Sequence, residues 1–167
     1  MQANQGSYFI SFRGVVTEIS VLSDNNTYWN YLLVEKNEGD VANLIVTPAT
    51  YFAYNIIISV GTEVTGYFPA NAPVPLIYPP QYLITVIVPE PASENIKVDY
   101  FDYNLVSLDG MLKLNIEDNT RIVMQDGSSY RGILGNQLLV VYYGASTRSI
   151  PAITTPTKIV VLNATPQ

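Results

Sequence analysis

The side chains best able to do chemistry in this chain are carboxylates, because the sequence contains neither histidine nor cysteine. With those two types go the usual general base, the partner of a serine nucleophile, the thiolate, the disulfide and the commonest transition-metal ligands. Two acids at a suitable separation can still hydrolyse a glycosidic bond. Examples are Glu117 with Asp118 and Asp99 with Asp102. Glu117 and Asp118 run into Asn119 and read as a solvated hairpin tip, and neighbours on a strand point to opposite faces. The expectation is a protein that is not an enzyme, with no catalytic, cofactor-binding or metal-binding residues.

Other constellations are weighed in the same way. Asp24 with Asn25 and Asn26, and Glu38 with Asp40, could offer oxygen ligands to calcium, but neither has the spacing of a formal calcium loop and both read as turns. Ser146–Arg148 follows Tyr142 and Tyr143 and could clamp an anion. Without a glycine-rich cradle it reads as a loop salt bridge. Tyr28, Trp29, Tyr31, Tyr51, Phe52 and Tyr54 could stack on sugars or on another protein, the plainer alternative being core packing with some interface tyrosines. In "GSYFISFRG", residues 6–14, Tyr8, Ile10 and Phe12 share one strand face between two glycines. They are either the first strand of the chain's own sheet or a donor strand for a neighbouring subunit, and they are the candidate assembly interface.

Composition narrows the setting. Charged residues make up 13% of the 167, about half of the ~25% common in soluble domains, while tyrosine occurs 13 times. From Val41 to Pro89 the only charged residue is Glu63. Such a neutral surface associates readily, because little charge has to be desolvated on contact. The net charge of −6 and the scattered Lys and Arg argue against a nucleic-acid partner. Proline interrupts every apolar run before about 18 residues, so no membrane insertion is expected. "QANQGS" after Met1 has neither the basic start nor the apolar core of a secretory signal.

The elements that must position these side chains are strands. "YFISF", "GVVTEISV", "YLLVE", "ANLIV", "EVTGYF", "YLITVIV", "MLKLNI", "TRIVM", "QLLVVYY" and "TKIVVL" alternate or are β-branched. "SDNN", "KNEGD", "LDGM" and "QDGSS" between them supply the Asn, Asp and Gly of tight turns. "PATYFAYNIIISVG" is the one competing helix, with Pro48 at a first turn and Gly61 at a stop, and its aromatic and β-branched content favours strand.

A degenerate duplication runs through these segments. Val46 and Thr50 match Ile116 and Thr120 at an offset of 70. Tyr67, Phe68 and Ala70 match Tyr142, Tyr143 and Ala145 at 75, and Pro75 and Pro80 match Pro151 and Pro156 at 76. The prolines keep an uncharged crossing out of the ladders, a gatekeeping that charge usually performs. No P-x-x-P occurs, which weakens a polyproline reading. "VPEPASEN", residues 88–95, reads as the connector.

"VGTEVTGYFPANAPVPLIYPPQY" and "YGASTRSIPAITTPTKIVVL" resemble a β-rich module of spore-forming anaerobic Gram-positive bacteria, often found beside copper-amine-oxidase-like stalk domains. The resemblance covers most of residues 14–163 and implies a cell-surface or spore-layer setting with no active site. "G-T-E-V-T-G-Y" is also similar to strands of OB barrels.

The expected fold is all-β: two related barrel or sandwich units of OB-like kind, 14–90 and 91–167, with 1–13 as an amino-terminal extension or donor strand. The expected function is a non-catalytic protein that self-associates, through β-strand pairing, into a surface layer, spore coat or filamentous appendage. The alternative is a monomeric carbohydrate- or peptide-binding module of a cell-surface protein.

Overall fold

The computed structural model describes residues 6–24 and 27–162, and the side chains of all of these except 23, 24, 27 and 28. The described chain is all-β, as its alternation predicts, and contains no α-helix. It divides into two compact units, one of Phe9–Ala92 and one of Ser93–Gln167 together with Met1–Tyr8.

The first unit holds β1 (Phe9–Asp24), β2 (Thr27–Asn37), β3 (Asp40–Val46), β4 (Tyr51–Phe52), β5 (Glu63–Pro69), β6 (Gln81–Leu83) and β7 (Val86–Glu90) in one sheet of order β4-β7-β5-β1-β2-β3-β6. β1 and β2 form a long antiparallel hairpin, and β2 turns into β3 through Gly39, whose φ of 84° is the conformation glycine adopts freely. β5 is antiparallel to β1 and to β7. β3 and β4 follow one another in the chain, as do β6 and β7, and the two runs lie side by side in parallel. The alternating Leu32 and Val34 meet Ala42, Leu44 and Val46 in a core closed by Val16, Val64, Phe68, Ile84 and Ile87. Burying each larger apolar side chain contributes about 1.5–3 kcal/mol. Tyr82 stacks on Phe68 with ring centroids 4.2 Å apart.

The helix signal after Pro48 yields only β4 and a 3-10 turn at Ala53–Asn55. Tyr54 and Asn55 take φ of 63° and 51°, which no helix can continue.

The second unit holds β8 (Asn95–Phe101), β9 (Leu112–Leu114), β10 (Arg121–Met124), β11 (Gln137–Tyr143), β12 (Ala152–Thr154) and β13 (Lys158–Val161). One sheet has the order β10-β13-β11-β8, and β12 pairs with β9. β9 and β10 lie parallel to β12 and β13, as β3 and β4 lie to β6 and β7. "LDGM" and "QDGSS" are turns, with Gly110 and Gly127 at positive φ. Phe101, Leu112, Leu114, Leu139, Val141, Ile159 and Val161 form the core.

The duplication is written in hydrogen bonds. Buried Thr50 donates its hydroxyl to the Ile84 carbonyl at 2.7 Å, and buried Thr120 donates to that of Pro156 at 2.9 Å. Each follows the same tight turn, Thr50 N–H to Thr47 O and Thr120 N–H to Glu117 O, both 3.0 Å. Thr85 N–H to Tyr67 O at 2.8 Å repeats as Thr157 N–H to Tyr142 O at 2.9 Å. These pairs bear out the offsets of 70 and 75 and correct that of the prolines. Ile84 stands where Pro156 does, an offset of 72, so Pro79 and Pro151 are the equivalents, each after a cis bond.

The amino-terminal boundary also needs correction. β1 runs through Gly14 unbroken, and Phe9–Val15 pair with Pro69–Glu63 of the same chain. β8 pairs with β11 in the same way, so the first strand has a counterpart in the second unit. Gly14 does not mark an end. A Cβ there would sit 2.5 Å from the carbonyl oxygen of Glu35 and 2.8 Å from Val34 Cγ1, so the glycine serves close strand approach inside the unit.

Candidate functional site

The carboxylate pairs do not form acid–base dyads. Asp99 is fully buried in β8, and its oxygens accept the N–H groups of Tyr8 (2.7 Å), Tyr100 (2.9 Å) and Asp109 (3.3 Å). Asp102 accepts from the N–H of Asn104 and Val106 in the next turn. Both are occupied with their own backbone. Glu117, Asp118 and Asn119 are an exposed loop tip, where Glu117 accepts from Asn115. Asp109, in the turn beside Asp99, is itself partly buried. Burial raises its pKa, but hydrogen bonds from Lys97, the Ser107 hydroxyl and the Met111 N–H, with the charge of Lys97, hold it below the ordinary carboxylate value.

The oxygen-ligand candidates fare similarly. Asn25 and Asn26 lie outside the described residues, as does the side chain of Asp24, while Glu38 and Asp40 are exposed on the β2–β3 turn. Among the described residues no group of three or more acids is gathered as a metal site. At 146–148 the hydroxyl of Thr147 contacts that of Ser149 at 2.6 Å and accepts the Ile153 N–H, which shapes a loop that leaves Arg148 exposed.

The amino-terminal trio does not act as one face. Tyr8 falls with the second unit, Ile10 is exposed, and Phe12 packs half-buried against the core of the first unit beside Tyr82. Phe9, on the opposite face, is buried. β1 thus completes its own sheet, so of the residues 1–13 expected as an extension or donor strand, 9–13 belong to the first unit, while 1–5 lie outside the described residues. The other aromatics are dispersed. Trp29 is exposed, Tyr31, Tyr51, Phe52 and Tyr54 are half-buried, and the Tyr28 side chain lies outside the described residues.

What the structure does assemble is an apolar cleft in the first unit. Ile19 and Leu32, cross-strand partners on the β1–β2 hairpin, face Phe52 and the run Ile56–Ile58 across a space of about 280 Å³. Val46 also lines it, and Asn30 and Asn55 are its polar lining residues. No charged residue lines it. Ile57 is 92% exposed beside it, and Val21, two residues along the strand from Ile19, is 64% exposed. Such a cleft can receive an apolar group and orient it by amide hydrogen bonds.

No family profile, no curated protein and no solved structure matches this chain. Among the described residues no helix is long and apolar enough to cross a membrane.

The sequence held a signal for exposed apolar side chains beside the cleft, though not for the cleft itself. Three consecutive isoleucines cannot all point inward from an extended segment, because successive side chains alternate. Ile57, the middle of the three, is accordingly 92% exposed, and Ile56 is exposed as well. The proline-rich crossing behaves likewise: Leu76, Ile77 and Tyr78 are exposed, and so is Ile150 at the position equivalent to Tyr78.

Proposed function

We propose that this protein is a non-catalytic structural module whose copies associate through the uncharged apolar surface of the first unit. The observation that carries the reading is the contiguous set of Ile19, Ile56 and Ile57 on the cleft, extended by Val21 along β1. Large exposed apolar side chains grouped around a cleft without charge mark an interaction surface. The resemblance to a module of spore-forming bacteria supports a surface layer, spore coat or appendage as the setting. The parallel β3–β4/β6–β7 run, combined with the antiparallel ladders to β5, β1 and β2, supports reading the first unit as a small Greek-key barrel, and the parallel run and the pairing of β5 with β1 and β7 have counterparts in the second unit.

The test is sedimentation velocity on the full chain over a hundredfold concentration range. Growth in size with concentration, abolished by Ile57→Asp at unchanged circular dichroism, is the expected result. A monomer throughout overturns the reading. It would favour the second one, a binding module for a small neutral ligand, for which Asn30, Asn55 and Phe52 in the lining of the cleft are the specific support.

A further inference from the structure

A buried charge usually has a task, because its removal from water costs several kcal/mol unless hydrogen bonds replace the lost solvent. Asp99 has no exposure at all, and the contacts its carboxylate makes with Tyr8, Tyr100 and Asp109 are all to backbone N–H groups. The ladder itself does not demand it. Asp99 pairs with Leu139 on β11, and at the equivalent place on β1 the residue opposite Val64 is Gly14, with no side chain. The carboxylate is therefore an addition to the repeated pattern, and its shortest bond reaches across 91 positions to Tyr8.

We propose that Asp99 is a latch that fastens the segment ahead of β1. Tyr8 is the last residue counted with the second unit, and Phe9 opens the first strand of the other. Charge-assisted bonds from N–H to carboxylate are among the stronger neutral-donor bonds, so the Tyr8 N–H on Asp99 Oδ1 holds the segment ahead of β1 to the second unit. Tyr100 N–H shares the same oxygen, and Asp109 N–H holds the other. This orients the carboxylate toward Tyr8 before the segment docks. The latch restrains the residues that lead into β1.

Two variants of the full chain test this. In Asp99→Asn the Tyr8 amide should exchange with solvent at least about tenfold faster, while the Leu139 and Val141 amides keep their protection. In Tyr8→Pro, which removes the donor and leaves Asp99 its other two, chymotrypsin should cut after Phe9 about tenfold faster than in the parent. Unchanged Tyr8 exchange in Asp99→Asn, with Leu139 still protected, overturns the proposal. If Asp99→Asn loses the Leu139 protection, the Tyr8→Pro variant decides: faster cleavage supports the latch and unchanged cleavage overturns it. Neither readout depends on association through the cleft, which Ile57→Asp addresses separately.

Discussion

Gly14 and Asp99 occupy the same place in two copies of one ladder, yet one has no side chain and the other a buried charge. The difference follows from what each unit builds next to that position. In the first unit β1 continues into a long hairpin, and β2 passes so close that the Glu35 carbonyl stands where a Cβ would be. In the second unit the hairpin is cut to isolated bridges, Phe101 to Ser107 and Val106 to Lys113, and tight turns carry the chain back. Tight turns leave N–H groups that no strand satisfies, and a carboxylate can take several. One fold thus closes by backbone contact in one copy and by a side chain in the other, and the copy that closes by backbone contact has the hairpin to spare for a cleft.

The sharpest break of this comparison is Asp99→Ala. It leaves the N–H groups of Tyr8, Tyr100 and Asp109 without their acceptor. The expected cost is about 3–5 kcal/mol, at 1–3 kcal/mol per orphaned donor with partial rescue by water. It should be read as loss of amide protection at Leu139 and Val141, while Val34 and Leu44 keep theirs. Equal loss in both units would show that the carboxylate serves more than its own copy.

Gly14→Ala is the counterpart in the first unit. Its methyl meets backbone rather than a flexible chain end, so β2 must shift, at a cost of about 1–3 kcal/mol. Trp29, the only tryptophan, sits on that hairpin and reports the transition by fluorescence. A neutral effect on the midpoint would mean that β2 yields freely, and the glycine would need another explanation.

The sequence exposed the all-β class, the Asp-Gly turns and the Thr50–Thr120 equivalence, because alternation, positive φ and a buried hydroxyl each leave a local trace. It misplaced the prolines, since proline recurs for reasons of its own and two crossings of different length can align by chance. It misread Gly14 as an end, because the contact that requires glycine comes from Glu35, 21 residues away and invisible to a local pattern. It also weighed Asp99 as a possible acid, since a short polar residue in a strand does not announce whether its partners are substrate or backbone. The cleft joins Ile19 to Ile57 through tertiary structure, so no window of sequence contains it.

The shared part of the ladder is tested by Thr50→Val and Thr120→Val. Each keeps the shape and removes the hydroxyl that bonds Ile84 or Pro156, leaving a buried carbonyl with one partner fewer. A cost of about 1 kcal/mol in each unit is expected, measured by chemical denaturation of the single variants. Costs that differ by more than about 1 kcal/mol would argue that the two threonines do different work despite their matching bonds.

On the surface of the first unit, Val21→Asp should change stability by no more than about 0.5 kcal/mol, because Val21 is 64% exposed. It should nonetheless weaken association in sedimentation, as Ile57→Asp does. The equivalent test in the second unit is Ile150→Asp, with Ile150 81% exposed and outside the cleft. If Ile150→Asp weakens association as strongly, the hairpin and cleft have no privileged part in it.

The smallest expected effect separates the units by their response to acid. Asp109 of the second unit is held below the ordinary carboxylate value, burial working against it while the bonds from Lys97, Ser107 and Met111 N–H prevail. A carboxylate depressed in the folded state contributes stability that is fully present above its unfolded value, about 3.9. That contribution is lost as the pH falls through the lower folded value. Between pH 7 and 5 it should therefore be constant, and below about pH 4 the second unit should lose it progressively. Lys97→Met removes both a hydrogen bond and the charge that hold Asp109 down, so the variant should be less stable than the parent at pH 6 and approach it at pH 2–3. Denaturation of both proteins across that range, followed through amide protection in β11, makes the comparison. A gap that stays constant down to pH 2 would show that Lys97 acts through the packing of its aliphatic stem, and the ion pair would then have no part in closing the second unit.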